Sequence, residues 1–119
     1  MATIFVIDDE EGLLDLMKMA FNRHGFDVVC YSNPQDFLSS VSSLKGDVIV
    51  SDIRMPGMDG LDLIRAVKDK LLDDCRPFVF FTAYEDYDRQ ELMALGAVKV
   101  FQKPESFDHM AEYLRGILP

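Results

Sequence analysis

The sequence predicts a doubly wound (βα)5 domain: a five-stranded parallel sheet with helices on both faces. Three observations carry this expectation. Short runs rich in β-branched and aromatic residues alternate with stretches of helical periodicity along the whole chain. Two of the runs, Val48-Ile49-Val50-Ser51 and Phe78-Val79-Phe80-Phe81, are almost continuously apolar, as strands covered on both faces are. Four runs then end at related chemistry: Ile4 to Ile7 at Asp8-Asp9-Glu10, Val48 to Ser51 at Asp52, Phe78 to Phe81 at Thr82-Ala83, and Val98 to Gln102 at Lys103-Pro104. In open sheets of this type, ligands bind outside the carboxyl ends of the strands, where the strand order reverses. A 2-1-3-4-5 order, reached through right-handed crossovers, sets strands one and three side by side. Asp8, Asp9 and Asp52 then become neighbours at the switch point.

The elements follow in order. After Asp9, residues Leu13, Leu14, Leu16, Met17, Ala20 and Phe21 form a helical stripe, and Gly25 is placed to stop it. Phe26 to Tyr31 reads as the second strand. Asn33-Pro34 offers a cap and then proline at the first helical position, with Phe37, Leu38, Val41 and Leu44 turned inward. Gly46 precedes the third strand, Asp47 to Ser51. The turn-rich Met55-Pro56-Gly57-Met58-Asp59-Gly60 opens a helix whose inner face is Leu61, Ile64, Val67 and Leu71. Arg76-Pro77 leads into the fourth strand. A fourth helix, about Tyr84 to Leu95, is thinly apolar (chiefly Leu92, Met93 and Leu95) and stops at Gly96. The last helix follows strand five and carries Phe107, Met110, Ala111, Leu114 and Ile117 on one face. No repeat, linker or low-complexity stretch intervenes, so residues 1–119 read as a single domain.

Composition narrows the function. A chain of 119 residues, 49% hydrophobic and 28% charged, suits one well-packed soluble core. No apolar run approaches the ~20 residues that span a bilayer. The first strand follows the N-terminus without a basic leader, so a cytoplasmic domain without membrane contact is expected. Cys30 and Cys75 have no metal-type spacing and read as ordinary residues of a reducing compartment. The net charge of −9, from 21 acids against 12 bases, repels phosphate backbones, so direct nucleic-acid binding is not expected.

Each strand-end residue taken alone has a bland explanation. Asp9 would cap the first helix and Asp59 the third, each contributing about 0.5–2 kcal/mol. Thr82 would be an ordinary strand end and Lys103 a solvated cation. Independent explanations of that kind do not place polar groups at four strand ends. Three clustered carboxylates repel one another and raise at least one pKa unless cations intervene, and Lys103 supplies a single charge. A hard divalent cation with oxygen ligands resolves the conflict, and Mg²⁺ typically takes one or two carboxylates with waters and a phosphate. Neither His nor Cys stands near, which disfavours zinc and copper. A carboxylate beside Mg²⁺, with an ammonium and a hydroxyl nearby, is arranged for phosphoryl transfer through an aspartyl phosphate.

These residues carry a family resemblance. Val6-Ile7-Asp8-Asp9-Glu10, Ser51-Asp52-Ile53-Arg54-Met55-Pro56-Gly57-Met58-Asp59-Gly60, Phe81-Thr82-Ala83 and Gln102-Lys103-Pro104 together resemble the receiver domain of bacterial two-component response regulators. The resemblance runs in order over essentially the whole chain. Ser51 to Gly60 looks most like receivers of the nitrogen-regulation, enhancer-binding class. It implies a flavodoxin-like fold, Asp52 as phosphoacceptor and Mg²⁺ as cofactor. Asp9 would be a direct ligand, Asp8 a ligand through water, and the Arg54 carbonyl a further one. Thr82 would contact the phosphoryl group, Lys103 would pair with it, and the Lys103-Pro104 bond would be cis, a form X-Pro pairs adopt at modest cost. The implied partners are a sensor histidine kinase or histidine phosphotransfer protein, a downstream effector, and a second copy of the domain. The implied output face is helix four, strand five and helix five.

The chain also departs from the family pattern. The family often places an aromatic residue or histidine three positions before the lysine, where this chain has Val100 with Phe101 beside it. Lys99 stands where a small or acidic residue is common. Arg54 and Tyr84 are expected to flank the phosphoryl group, where they either obstruct an attacking water or only shape the surface. His24 and His109 read as surface or structural groups and not as relay residues. Two other functions compete with the receiver reading. A Mg²⁺-dependent phosphohydrolase of the haloacid-dehalogenase type wants an acid two residues after Asp52, where Arg54 stands. The other is a phosphorylation-independent interaction module, and the intact acidic set argues against it.

Overall fold

The computed structural model describes residues 2–40, 48–70, 77–83 and 87–118, with the side chains of residues 68–70 left aside. Its elements run β1 (Thr3–Ile7), α1 (Glu11–Arg23), β2 (Asp27–Tyr31), α2 (Pro34–Ser40) and β3 (Val48–Ser51). They continue with α3 (Gly60–Lys70), β4 (Phe78–Thr82), α4 (Arg89–Ala94), β5 (Ala97–Gln102) and α5 (Phe107–Ile117). The five strands pair in parallel in the order β2-β1-β3-β4-β5, as the sequence predicts.

Strand alternation divides the core in two. Phe5, Ile7, Ile49, Phe78, Phe80 and Val100 face one cluster with Phe37 of α2, Leu63 and Ile64 of α3 and Leu92 of α4. Ile4, Val6, Val48, Val50, Val79, Phe81 and Phe101 face the other, with Leu14, Met17 and Phe21 of α1 and Met110, Ala111 and Leu114 of α5. Neighbouring residues on one strand serve opposite layers because successive side chains point to opposite faces. That alternation is why these strands read as unbroken apolar runs.

Several local expectations are met atom by atom. Asn33 Oδ1 accepts the Asp36 N–H at 2.9 Å and caps α2 ahead of Pro34. Asp59 Oδ1 accepts the Asp62 N–H at 2.8 Å and caps α3. Gly25, at φ 90°, closes α1 in a Schellman motif: Gly25 N–H donates to Asn22 O and Phe26 N–H to Phe21 O.

Other expectations are corrected. Glu10, not Asp9, occupies the N-cap position of α1, and no side chain caps it. Leu16 is 56% exposed, because Leu14, Met17 and Phe21 already fill the face turned to the sheet. Leu63, which the sequence reading passed over, is fully buried. The fourth helix starts at Arg89 because Asp88 caps it, its Oδ1 accepting the Gln90 and Glu91 N–H groups at 2.9 and 3.3 Å. β2 begins at Asp27 and β5 at Ala97, and a register shift at Phe78/Val79 leaves Val98 outside the ladder. Val41, Leu44, Gly46, Asp47, Leu71, Cys75, Arg76 and Tyr84 lie outside the described residues. Among the described residues no helix is long and apolar enough to cross a membrane.

Candidate functional site

The ladder brings the acidic residues together. Ile7 pairs with Ser51, the Asp52 N–H donates to Ile7 O at 3.0 Å, and the Asp8 N–H donates to Tyr31 O at 3.1 Å. Asp8, Asp9 and Asp52 therefore leave adjacent strand ends, each offering a carboxylate oxygen, all within 4.8 Å of one another. Asp8 and Asp52 are buried, at 2% and 5% exposure, while Asp9 is open to solvent.

The Lys103 ammonium lies between the two buried acids, donating to Asp8 Oδ2 at 2.9 Å and Asp52 Oδ2 at 3.2 Å. Phe81 stands beneath it, with Nζ 5.2 Å from the ring centroid, a contact without a signature in the sequence. The Lys103 N–H donates to Thr82 O at 2.6 Å, and the Lys103-Pro104 bond is cis. Thr82 ends β4, is fully buried and pairs with Gln102.

Each of the two buried acids is held by backbone. Asp52 Oδ1 accepts the Ile53 N–H at 2.7 Å, and Asp8 Oδ1 accepts the Glu10 N–H at 3.0 Å. Ser51 Oγ donates to the Asp52 carbonyl at 2.8 Å, a second support not legible in the sequence. Burial pushes the Asp8 carboxyl upward, and the Glu10 N–H and Lys103 only partly offset it. Burial alone would lower the Lys103 ammonium, but its hydrogen bond and charge contact with Asp8, together with Asp52, hold it above its ordinary value. The Lys103 ammonium thus serves two buried carboxylates, with the exposed Asp9 carboxylate beside them. The donor set is all carboxylate oxygen, which suits a hard divalent ion such as Mg²⁺.

Arg54 is exposed and lines a cleft of about 390 Å³ over the site with Asp9, Met55, Pro56 and Asp59. Gly57 turns the loop at φ 83°, and Gly60 presses against Asp52 and Phe80. The structure thus gathers Asp8, Asp9, Asp52 and Lys103 directly and places Thr82 and Arg54 at the same edge. The histidines are engaged elsewhere. His24 Nε2 lies 2.7 Å from Asp108 and its carbonyl accepts from Arg115 at 3.0 Å, while His109 Nδ1 lies 3.0 Å from Glu105.

The Val100 departure resolves by face. Val100 packs toward α4, in the cluster that contains Leu92. Phe101 packs toward α5, edge-on to Tyr113 with centroids 5.4 Å apart. Phe101 therefore does not stand in for an aromatic group on the α4 side. Lys99 Nζ is held 5.5 Å from the Phe101 centroid and 5.7 Å from that of Tyr113, which keeps its charge on the α5 side.

Comparison with known proteins gives a consistent picture. A family model for the response regulator receiver domain matches residues 4–115. The sporulation initiation phosphotransferase F of Bacillus subtilis is 30% identical, over 98% of this chain and 93% of its own length. The transcriptional regulatory protein FixJ of Bradyrhizobium diazoefficiens is 31% identical over 97% of this chain. The chain spans only about half of FixJ, 56% of its length. Among solved structures, the Thermotoga maritima response regulator TrrA, in complex with Mg²⁺ and BeF, superposes at a TM-score of 0.87. It is 28% identical and the match covers 99% of this chain and all of that one. The Vibrio cholerae chemotaxis protein CheY4, at a TM-score of 0.90 and 24% identity over 99% of both chains, shares the fold.

Proposed function

The chain belongs to the response regulator receiver domain family of two-component phosphoacceptor proteins, and from that membership we propose that Asp52 is the phosphoacceptor. A carboxylate oxygen of Asp52 attacks the phosphorus of a phosphohistidine on a sensor kinase or histidine phosphotransfer protein. The new O–P bond replaces the P–N bond, and the histidine leaves with that electron pair. The observation that carries this reading is the placement of Asp52. It is 5% exposed, has an ammonium at 3.2 Å, and lies in a three-carboxylate cluster at the parallel strand ends.

Asp8, Asp9, Asp52 and the carbonyl of Arg54 would hold Mg²⁺, which when bound supplies positive charge to the phosphoryl oxygens. Lys103 neutralises further charge on those oxygens, and the Ile53 N–H fixes the orientation of the Asp52 carboxylate. The Thr82 hydroxyl binds the transferred group, and α4, β5 and α5 carry the change to an effector or a second copy of the domain. Residues 1–119 act as one cytoplasmic receiver domain. It is a signalling element that assists its own phosphorylation and dephosphorylation and does not turn over an external substrate.

The test is incubation with acetyl phosphate and Mg²⁺, read by intact mass. One added phosphoryl group, absent in Asp52→Asn and without Mg²⁺, is expected. Undiminished labelling of Asp52→Asn would overturn the assignment. Absence of any adduct, with Mg²⁺ binding verified and a cognate kinase supplied, would favour the phosphorylation-independent module.

A further inference from the structure

The ammonium of the acidic site rests on a ring that the core holds still. Phe81 ends the apolar run of β4 next to Thr82, is 3% exposed and turns toward the α5 layer. Phe107 of α5 meets it edge to face, with centroids 6.1 Å apart and planes at 79°. The ring's position is therefore set by packing and not by what happens in the site. Lys103 Nζ lies 5.2 Å from its centroid, inside the ~6 Å range in which a cation is drawn to the face of a ring. The Lys103 side chain is 12% exposed, and the attraction grows as water is excluded.

The ammonium is held in two different ways. Asp8 Oδ2 at 2.9 Å and Asp52 Oδ2 at 3.2 Å hold it by charge. Both carboxylates also belong to the cluster suited to a divalent ion, so such an ion draws on the oxygens that hold Lys103. The ring neither binds that ion nor takes a proton from the ammonium, and so it competes with nothing in the site. A lysine whose ion pairs weaken, with no other contact, regains rotamer freedom and turns its head to water.

We propose that Phe81 is a positioning residue for phosphoryl transfer: its face keeps the Lys103 ammonium beside Asp52 while a metal ion engages Asp8 and Asp52. The inference rests on the reading of Asp52 as phosphoacceptor. Positive charge already in place where negative charge develops stabilises the transition state without reorganisation. The fraction of molecules with the ammonium in place then scales the rate of adduct formation. An aliphatic side chain would also fill the core here but would offer no such face, so the role belongs to the ring's charge distribution and not to its bulk.

Mono-, di- and trifluorophenylalanine in place of Phe81, in the whole protein, keep the ring's shape while drawing electron density stepwise from its face. The rate of adduct formation with acetyl phosphate and Mg²⁺, read by intact mass, should fall along the series, to roughly fivefold below wild type at the trifluoro ring. The melting temperature should stay level, since packing against Phe107 is kept. A second readout needs no phosphoryl transfer. With lysine labelled at its ε carbon and Lys103→Arg identifying the line, the Lys103 signal should carry the shift an aromatic face imposes and keep it when Mg²⁺ alone is added. In Phe81→Leu that shift should be lost, and Mg²⁺ should move the line toward that of a solvated lysine. The line of Lys99, which lies by Phe101 and Tyr113, should not change. A rate that is flat across the series, or that falls only where the melting temperature falls, makes Phe81 a core residue alone and overturns the proposal. A Lys103 line that responds to Mg²⁺ identically in wild type and Phe81→Leu overturns it as well. If wild type forms no adduct, the reading of Asp52 fails, and the Lys103 line then decides on its own whether the ring holds the ammonium.

Discussion

Gly60 offers the sharpest test of how tightly the acidic site is built. It opens α3, and its N–H donates to the Ile53 carbonyl at 2.6 Å. A β-carbon there would lie 2.6 Å from Phe80 Cε1, 2.8 Å from the Asp52 carbonyl oxygen and 2.9 Å from Ile53 Cα. Comfortable carbon–carbon contacts begin near ~3.5 Å, so something must move. Phe80 is fully buried and packs on Phe78 with centroids 4.9 Å apart, and the other two atoms are backbone. Overpacking of this kind costs about 1–3 kcal/mol, and two rigid neighbours out of three place Gly60→Ala toward the upper end. Alanine's helical preference returns at most about 1 kcal/mol, leaving a net loss of about 2 kcal/mol. With an unfolding entropy of about 2.1 cal/mol/K per residue, a chain of 119 residues then loses about 8 °C in Tm. Circular dichroism melting reads this directly. The same displacement passes to the Ile53 N–H that orients Asp52, so adduct formation with acetyl phosphate should also slow. A variant with a Tm within about 2 °C of wild type and an unchanged adduct rate would show that the close approach constrains neither the fold nor Asp52.

Four further outcomes follow from the same geometry. Asp9→Asn, at the exposed member of the cluster, should weaken Mg²⁺ binding at least roughly tenfold by titration calorimetry while leaving Tm unchanged or slightly higher; unchanged Mg²⁺ affinity would remove Asp9 from the ligand set. In Mg²⁺-free buffer the raised Asp8 carboxyl makes the folded state hold a proton longer than the unfolded chain does. That contribution is complete below the ordinary carboxyl value of about 3.9 and is lost as pH rises through the raised value, so the urea midpoint should fall there relative to Asp8→Asn; parallel curves for the two proteins would contradict it. Asp88→Ala removes the acceptor of two N–H groups and should cost about 1 kcal/mol, seen as faster amide exchange confined to α4. Arg54→Ala opens the cleft over the site and should shorten the life of the phospho-state several-fold in an acid-quench time course; an unchanged lifetime would assign Arg54 to surface shape alone.

Much of the site was legible because it depends on where strands end. A parallel sheet converts sequence order into spatial adjacency, so Asp8, Asp9, Asp52, Thr82 and Lys103 could be gathered from five positions without coordinates. Asn33 and Asp59 announced their helices because capping is a local interaction between a side chain and the next turn. What escaped depends on orientation. The sequence places Val100 and Phe101 side by side, yet strand alternation sends one to α4 and the other to α5. Leu16 looked like core because its spacing is helical, but α1 turns one stripe to the sheet and Leu16 lies off it. The start of α4 is set by Asp88, because a thin apolar pattern carries no boundary of its own.

The division of labour between the sheet edge and α4 follows from energy scales. The acidic residues and Lys103 stand on backbone that the ladder fixes, through Asp8 N–H to Tyr31 O, Asp52 N–H to Ile7 O and Lys103 N–H to Thr82 O. Moving any of them breaks rungs that neighbouring strands share. α4 is six residues long and buries one side chain completely, Leu92, whereas the thirteen residues of α1 bury four. At about 1.5–3 kcal/mol for each fully buried apolar side chain, α4 is held by little more than one such contribution and its cap. A phosphoryl group that makes one to three charge-assisted hydrogen bonds competes on that scale. It is far too small to reorganise a five-stranded sheet with two apolar layers. If Asp52 accepts the phosphoryl group, that chemistry leaves the strand-end frame intact and still redistributes α4.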